Sequence, residues 1–307
     1  MPIAKVNDLD IWYDTQGDPA HPPLLLIVGL GMQSVSWPDS FCNGLVERGF
    51  YLIRFDNRDN GLSTKLHHLG KPNTLLAVMK MALRMKLAAG YKLDDMAADA
   101  IGLMDALDIP RAHIVGASMG GMIAQIVAAR YPERVLSLTS IMSTSGRRGL
   151  PGPTRAARKV LFSAAPDPTQ HAALVEHFVH TMQVIGSPAY PTSSEILRER
   201  VSRTIKRSLE PIATTRQLLA IGASGDRVEL LKHIGAPTLV IHGIDDPLVP
   251  IAGGRDTSRL IPNAVMVEIP GMGHDLPDQL AEEITQKIAA HCHAADAVSV
   301  TVAAMAE

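Results

Sequence analysis

A serine lies at the centre of the pentapeptide Gly116-Ala117-Ser118-Met119-Gly120. Residues 113–115 before it are mostly apolar and residues 121–130 after it have helical character, so the sequence predicts a sharp turn between a strand and a helix. Such a turn strains the backbone of its central serine and exposes the hydroxyl near the positive end of a helix. The flanking glycines avoid the crowding that a side chain would cause there. Ser118 is therefore a candidate nucleophile.

A serine hydroxyl is a weak nucleophile at neutral pH, and it needs a histidine as base and a carboxylate that orients the imidazole. Two later apolar runs end in loops that offer these residue types: Asp245 and Asp246 follow one run, and His274 follows the other. The order Ser, Asp, His is expected when the three residues follow strands of one sheet. Taken singly, the aspartates could cap a helix and the histidine could be a loop residue. Taken together, they favour a triad with Ser118.

Attack by a serine on a carbonyl also requires hydrogen-bond donors for the oxyanion that develops. The backbone N–H of Met119, directly after the nucleophile, is expected to be one donor. The loop at residues 28–32 follows the first long apolar run, and we expect the N–H of Leu30 to be the second donor. Gly29 and Gly31 let this backbone approach a substrate closely, so both are predicted to line the substrate site.

Short apolar runs alternate with longer helical segments along the chain. This alternation predicts an α/β fold with a mostly parallel sheet covered by helices on both faces. Ligands of such sheets bind at the carboxyl ends of the strands, which is where the candidate residues lie. The predicted strands are residues 24–28, 51–55, 113–115, 135–141, 238–242 and 265–269.

Residues 145–228 contain no strand candidate but do contain helical segments such as 171–184 and 195–207. An insertion that follows the carboxyl end of a strand would cover the crevice, so we predict a helical cap there. A separate helical bundle is the alternative. Residues 1–144 and 229–307 are then the core, and from Ala294 onward we expect a loose tail.

Charge and cysteine content limit the partners that we expect. The chain of 307 residues has 29 basic and 31 acidic residues and a formal net charge of −2. It therefore lacks the net positive charge that attracts a polyphosphate backbone, and we expect no nucleic-acid partner. Cys42 and Cys292 are too few for a disulfide framework and lack the spacing of a metal site. We expect no metal site, and we interpret His291 and His293, which flank Cys292, as part of a frayed helix end.

No segment of the sequence is typical of export or of membrane insertion. The first ten residues contain Asp8 and Asp10 and lack a secretory signal, so we expect a cytoplasmic protein. The longest strongly apolar run, residues 24–32, is far shorter than the roughly 20 residues that span a bilayer. A second apolar stretch, residues 75–89, is interrupted by three basic residues and favours a packed helix over one lying on a membrane.

These motifs together resemble the α/β-hydrolase superfamily, and residues 55–63, F-D-N-R-D-N-G-L-S, are similar to its D-x-R-G-x-G-x-S loop. With Trp37-Pro38 in residues 29–38, the chain most resembles the aclacinomycin methylesterase-like esterases. The resemblance implies the α/β-hydrolase fold, and it implies Asp246 rather than Asp245 as the acid. The sequence departs from many relatives at Val28, where they have His, and at Asp59, where they have Gly.

We therefore expect a serine carboxylic ester hydrolase that acts on small or medium apolar esters without a cofactor. A lactonase, a perhydrolase or a carbon–carbon bond hydrolase would use the same triad, and a receptor for a hydrophobic small molecule would keep the fold without turnover. Dehalogenases and epoxide hydrolases are disfavoured because they have a carboxylate where this chain has Ser118. A dinucleotide loop at Gly29-Leu30-Gly31 is also disfavoured, because Ser34 occupies the position of the third glycine.

Overall fold

The computed structural model describes residues 2–73, 79, 85, 87–167 and 169–306. Its strands are β1 (Ile3–Val6), β2 (Leu9–Gln16), β3 (Pro23–Ile27), β4 (Tyr51–Phe55), β5 (Ala112–Ala117), β6 (Val135–Ile141), β7 (Thr238–Gly243) and β8 (Val265–Ile269). They form one sheet in the order β1-β2-β4-β3-β5-β6-β7-β8. β2 is antiparallel to β1 and β4, and the other neighbouring strands are parallel. The predicted mostly parallel sheet is confirmed.

Helices connect the parallel strands, and a further helix follows β8. They are α1 (Asp39–Glu47), α2 (Leu93–Ala106), α3 (Met119–Arg130), α4 (Arg155–Leu161), α5 (His171–Ile185), α6 (Ser194–Arg207), α7 (Pro211–Ser224), α8 (Val228–Leu231), α9 (Ala252–Leu260) and α10 (Ala281–Ala306). Helices α4 to α8 all lie between β6 and β7, where the described residues contain no strand. We call residues 145–228 the helical segment.

The core lies on both faces of the sheet. On β3, Leu25 and Ile27 belong to the cluster that includes residues of α2 and α3, whereas Leu24 and Leu26 belong to the cluster that includes residues of α1 and α10. All four side chains are fully buried. A strand buried on both faces reads as a continuous apolar run, which is why the sequence predicted β3.

Strands β1 and β2 were not predicted. They lie at the antiparallel edge of the sheet, where a strand needs to bury only part of its side chains. In β1 the exposed and buried residues alternate, and only Ala4 and Val6 are buried. Charged residues such as Lys5 and Asp10 therefore interrupt the apolar run on which the prediction depended.

The expectation of a loose tail from Ala294 was wrong, because α10 continues to Ala306. The tail is rich in alanine and contains no glycine or proline, and this composition favours a helix. His291 and His293 accordingly lie within α10 and not at its frayed end.

The apolar stretch at residues 75–89 lies largely outside the described residues. Among the helices that the structure describes, none is long and apolar enough to cross a bilayer.

Candidate active site

Ser118 lies between the end of β5 and the start of α3. Its φ of +55° and ψ of −118° form a conformation that residues with a side chain rarely adopt. The sequence predicted such a strained turn at this serine. Residues in and after β6 hold this turn. The Ser118 N–H donates to the carbonyl oxygen of Ile141 (2.9 Å), and the Ser143 hydroxyl donates to that of Ser118 (2.8 Å). The strained serine is therefore fixed at the carboxyl end of the sheet.

Gly120 lets the start of α3 pack directly on β3. A Cβ at this position would lie 1.9 Å from the carbonyl oxygen of Ile27, which is backbone and cannot rotate away. We expect Gly120→Ala to lower the free energy of unfolding by about 3 kcal/mol. Gly152→Ala is the control, because a Cβ there would meet no other described atom within 4 Å. Urea denaturation measures both variants, and equal midpoints would contradict the packing argument.

His274 connects Ser118 to Asp246. Its Nε2 lies 3.0 Å from Ser118 Oγ, and its Nδ1 lies 2.7 Å from Asp246 Oδ2. An ionised carboxylate only accepts hydrogen bonds, so Nδ1 carries the proton and donates to Asp246. Nε2 is then free to accept the hydrogen bond of the Ser118 hydroxyl. The structure brings the three predicted residues into one hydrogen-bonded chain, and the tautomer inferred from their partners is the one that a general base requires.

Asp246 is buried, and its carboxylate receives several hydrogen bonds. Oδ1 accepts from the N–H groups of Leu248 and Val249, each at 2.8 Å, while Oδ2 faces His274. Burial opposes ionisation, but the positive charge that His274 carries when protonated, the nearby His242, and the hydrogen bonds from His274 and from the N–H of Val249 outweigh it and lower the pKa of Asp246 to about 2. Asp246 is therefore an anion at neutral pH, opposite the imidazole.

Asp245 is exposed, and its carboxylate does not hydrogen-bond to His274. Its Oδ2 accepts from the N–H of Gly271 at 2.8 Å, which joins the turn after β7 to the turn after β8. The second histidine near Asp246 is His242, whose Nε2 donates to the carbonyl oxygen of Val249 at 2.7 Å and lies 3.5 Å from Asp246 Oδ2. The structure thus assigns the contact with His274 to Asp246, and Asp245 supports the loop that carries this histidine.

The predicted oxyanion loop forms a turn over Ser118. The N–H of Met32 donates to the carbonyl oxygen of Gly29 at 3.2 Å, so Leu30 and Gly31 are the two central residues. We call residues 29–32 the 29–32 turn. A Cβ on Gly29 would lie 3.3 Å from the Cβ of Ser118, which shows how closely this backbone approaches the serine.

The two predicted donors are available for a ligand. Met119 is the first residue of α3, where backbone N–H groups have no acceptor within the helix. Leu30 lies in the 29–32 turn, and its N–H meets no acceptor among the described residues. The N–H of Gly31, in contrast, donates to Gln217 Oε1 at 3.0 Å. The N–H groups of Leu30 and Met119 therefore have no acceptor among the described residues, whereas that of Gly31 is engaged.

The helical segment also holds the loop of His274. The backbone N–H of His274 donates to the carbonyl oxygen of Ile185 at 2.7 Å. Ser187 Oγ accepts from the N–H of Gly273 at 2.9 Å, and its hydroxyl donates to Asp275. Both the histidine loop and the 29–32 turn therefore contact residues between β6 and β7, which no sequence motif indicated.

Asp59, the departure from the usual glycine, is buried in an ion pair with Arg216 of α7. The guanidinium Nε and Nη2 lie 2.5 and 2.6 Å from the two carboxylate oxygens. Arg207 of α6 makes a similar contact with Asp56, at 2.6 Å. An acidic residue in place of glycine could have predicted a buried cationic partner, but nothing in the sequence identified Arg216 as that partner.

Comparisons with known proteins agree with this architecture. A family model for the alpha/beta hydrolase fold matches residues 22–279. The chain is 31% identical to rhodomycin D methylesterase DnrP of Streptomyces peucetius, over 96% of this chain and 99% of that protein. The structure of the meta-cleavage product hydrolase CumD of Pseudomonas fluorescens is similar, with a TM-score of 0.75, 21% identity and coverage of 96% of this chain and 98% of that one. The enol-lactonase of Burkholderia xenovorans has a TM-score of 0.66 and 22% identity, over 94% of this chain and 99% of that one.

Proposed function

This chain belongs to the α/β-hydrolase family, and we propose that it is a serine carboxylic ester hydrolase that works through an acyl-enzyme intermediate. The observation that carries the proposal is the hydrogen-bonded chain from Ser118 through His274 to Asp246. A receptor that binds without turnover has no need to keep a strained serine, a base and a buried carboxylate in this arrangement.

In the first half of the proposed reaction, Ser118 Oγ attacks the carbonyl carbon of the ester while His274 Nε2 takes the hydroxyl proton. Asp246 stabilises the imidazolium that forms, and the N–H groups of Leu30 and Met119 bind the oxyanion. The C–O bond then breaks, and His274 gives its proton to the departing alcohol. The acyl group remains on Ser118 as an ester.

In the second half, water replaces the alcohol. His274 takes a proton from the water as it attacks the acyl carbon, the same two N–H groups bind the new oxyanion, and the proton returns to Ser118 Oγ as the acid leaves. Each step uses only side chains and backbone N–H groups of this site together with solvent water, so the proposed mechanism needs no cofactor.

We further propose a methyl or other small alkyl ester with an apolar acyl group as the substrate class. The support is the likeness to a methylesterase over nearly the whole of both chains.

We also propose that the helical segment forms a cap over the crevice of the core, residues 1–144 and 229–307, because its residues contact both loops that flank Ser118. The cap would then shape the space for the acyl group.

Ester hydrolysis combined with labelling of the serine tests this proposal. We expect p-nitrophenyl esters and methyl esters of graded acyl length to be hydrolysed, and we expect an alkyl fluorophosphonate to stop turnover by phosphonylating Ser118 with loss of fluoride. Mass spectrometry locates the label. γ-Lactones and vinylogous diketones, assayed in parallel, test the lactonase and carbon–carbon hydrolase alternatives. Ester hydrolysis that survives complete labelling of Ser118 would contradict the mechanism.

A further inference from the structure

We propose that Gln217 of α7 is a positioning residue that fixes the 29–32 turn and, through it, the oxyanion donor Leu30. The inference rests on the proposed function, because it concerns the geometry of the oxyanion site. Gln217 is fully buried, lies in the helical segment and is 186 positions from Gly31 in the chain. Among the described residues it makes no hydrogen bond with Ser118 or His274, and we infer that it acts through the backbone of the turn.

Both ends of the Gln217 amide are engaged by backbone groups. Oε1 accepts from the N–H of Gly31 at 3.0 Å, and Nε2 donates to the carbonyl oxygen of Arg58 at 3.2 Å. An amide offers one acceptor and one donor group, and these two partners require them in this order. Gln217 therefore bridges the 29–32 turn to the loop after β4 in a single orientation.

The bridged N–H belongs to the peptide between the two central residues of the turn, Leu30 and Gly31. Gly31 has a φ of +67°, the conformation that a type II turn requires at its third position. Glycine also populates negative φ readily, so the peptide between Leu30 and Gly31 could rotate and convert the turn to another type. The hydrogen bond to Gln217 prevents this rotation. The N–H of Leu30 belongs to the preceding peptide, and a turn held rigid at its centre keeps this N–H in place before the oxyanion forms, which is what makes such a donor effective.

Residues of α7 other than Gln217 also hold this helix on the core. The adjacent Arg216 forms the buried ion pair with Asp59, and Thr214 packs so closely on Gly31 that a Cβ there would lie 2.9 Å from its hydroxyl oxygen. An apolar side chain could fill the position of Gln217, whereas a buried amide must recover the cost of its desolvation through hydrogen bonds. The amide thus indicates a role beyond packing of the helix.

The test replaces Gln217 by either of two side chains that cannot accept the hydrogen bond from the N–H of Gly31. Gln217→Met preserves volume, and Gln217→Asn is shorter but remains polar, which favours folding. We expect both to lower kcat for p-nitrophenyl butyrate by about 10- to 100-fold, with KM changed by less than about threefold. Thr215→Ala is the control on the same helix, because its hydroxyl donates to Pro211 within α7.

A second readout separates positioning from a general loss of structure. The trifluoromethyl ketone with the same acyl chain forms a tetrahedral oxyanion on Ser118, whereas butyrate, the product, does not. In both variants we expect affinity for the ketone to fall by the same factor as kcat/KM and affinity for butyrate to stay unchanged. Wild-type kcat in either variant, or equal losses of affinity for both inhibitors, would overturn the positioning role alone. Wild-type hydrolysis by Ser118→Ala would instead overturn the proposed function, and this inference with it.

Discussion

Ser118→Ala is expected to lower kcat for p-nitrophenyl esters by about 10⁵- to 10⁶-fold and to leave the fold intact. The variant lacks the only atom that forms the acyl bond in the proposed mechanism, so His274 can act only on water. The remaining rate would come from the N–H groups of Leu30 and Met119 and from binding, which together supply about 10³- to 10⁴-fold over water. Steady-state kinetics and labelling with a fluorophosphonate measure the loss.

Ser163→Ala is the control for this prediction. Ser163 is exposed, and its hydroxyl donates to the carbonyl oxygen of Val160 within the helical segment. We expect this control to keep wild-type kcat and the full stoichiometry of labelling, whereas Ser118→Ala loses both. Equal hydrolysis by the two variants would show that Ser118 is not the nucleophile of the observed reaction. The proposed role of the hydrogen-bonded chain in ester hydrolysis would then be wrong.

The features that sequence could predict are those encoded by local pattern. Continuous apolar runs predicted the parallel strands, and the turns that follow two of these strands supplied Ser118 and His274. The choice of Asp246 over Asp245 came from position in the turn, through the family resemblance. The structure gives this choice a physical reason, since only Asp246 is buried with an oxygen facing His274.

The features that sequence could not predict depend on contacts between distant segments. The bond between Gly31 and Gln217 and the ion pair between Asp59 and Arg216 each join loops of the sheet to α7, across more than 150 positions. Hydrophobic periodicity can indicate a helix, but it does not say which of the polar residues of that helix are buried, or against which residues they pack. The edge strand β1 was missed for a related reason, because its pattern of partial burial resembles that of a loop.

The acid is expected to be the second most sensitive position. We expect Asp246→Asn to lower kcat by about 10⁴-fold, the loss typical of an acid replaced by its amide. In the wild type the N–H groups of Leu248 and Val249 donate to Asp246 Oδ1. In the variant these two donors keep the amide oxygen of the asparagine at the same position. The NH₂ group then faces His274 Nδ1 and donates to it. This reverses the tautomer, so Nε2 carries the proton and can no longer accept one from Ser118.

Asp245→Asn provides the matched control, because the change is chemically identical and one position away. Asp245 is exposed, and an asparagine oxygen can still accept from the N–H of Gly271, so kcat should stay within about threefold of wild type. Both variants retain Ser118, and comparison of their circular dichroism and melting temperatures separates loss of folding from loss of chemistry. The ¹⁵N shifts of the His274 ring report the tautomer directly. If Asp245→Asn were the more damaging change, or if His274 kept its proton on Nδ1 in Asp246→Asn, the carboxylate that orients the base would not be Asp246.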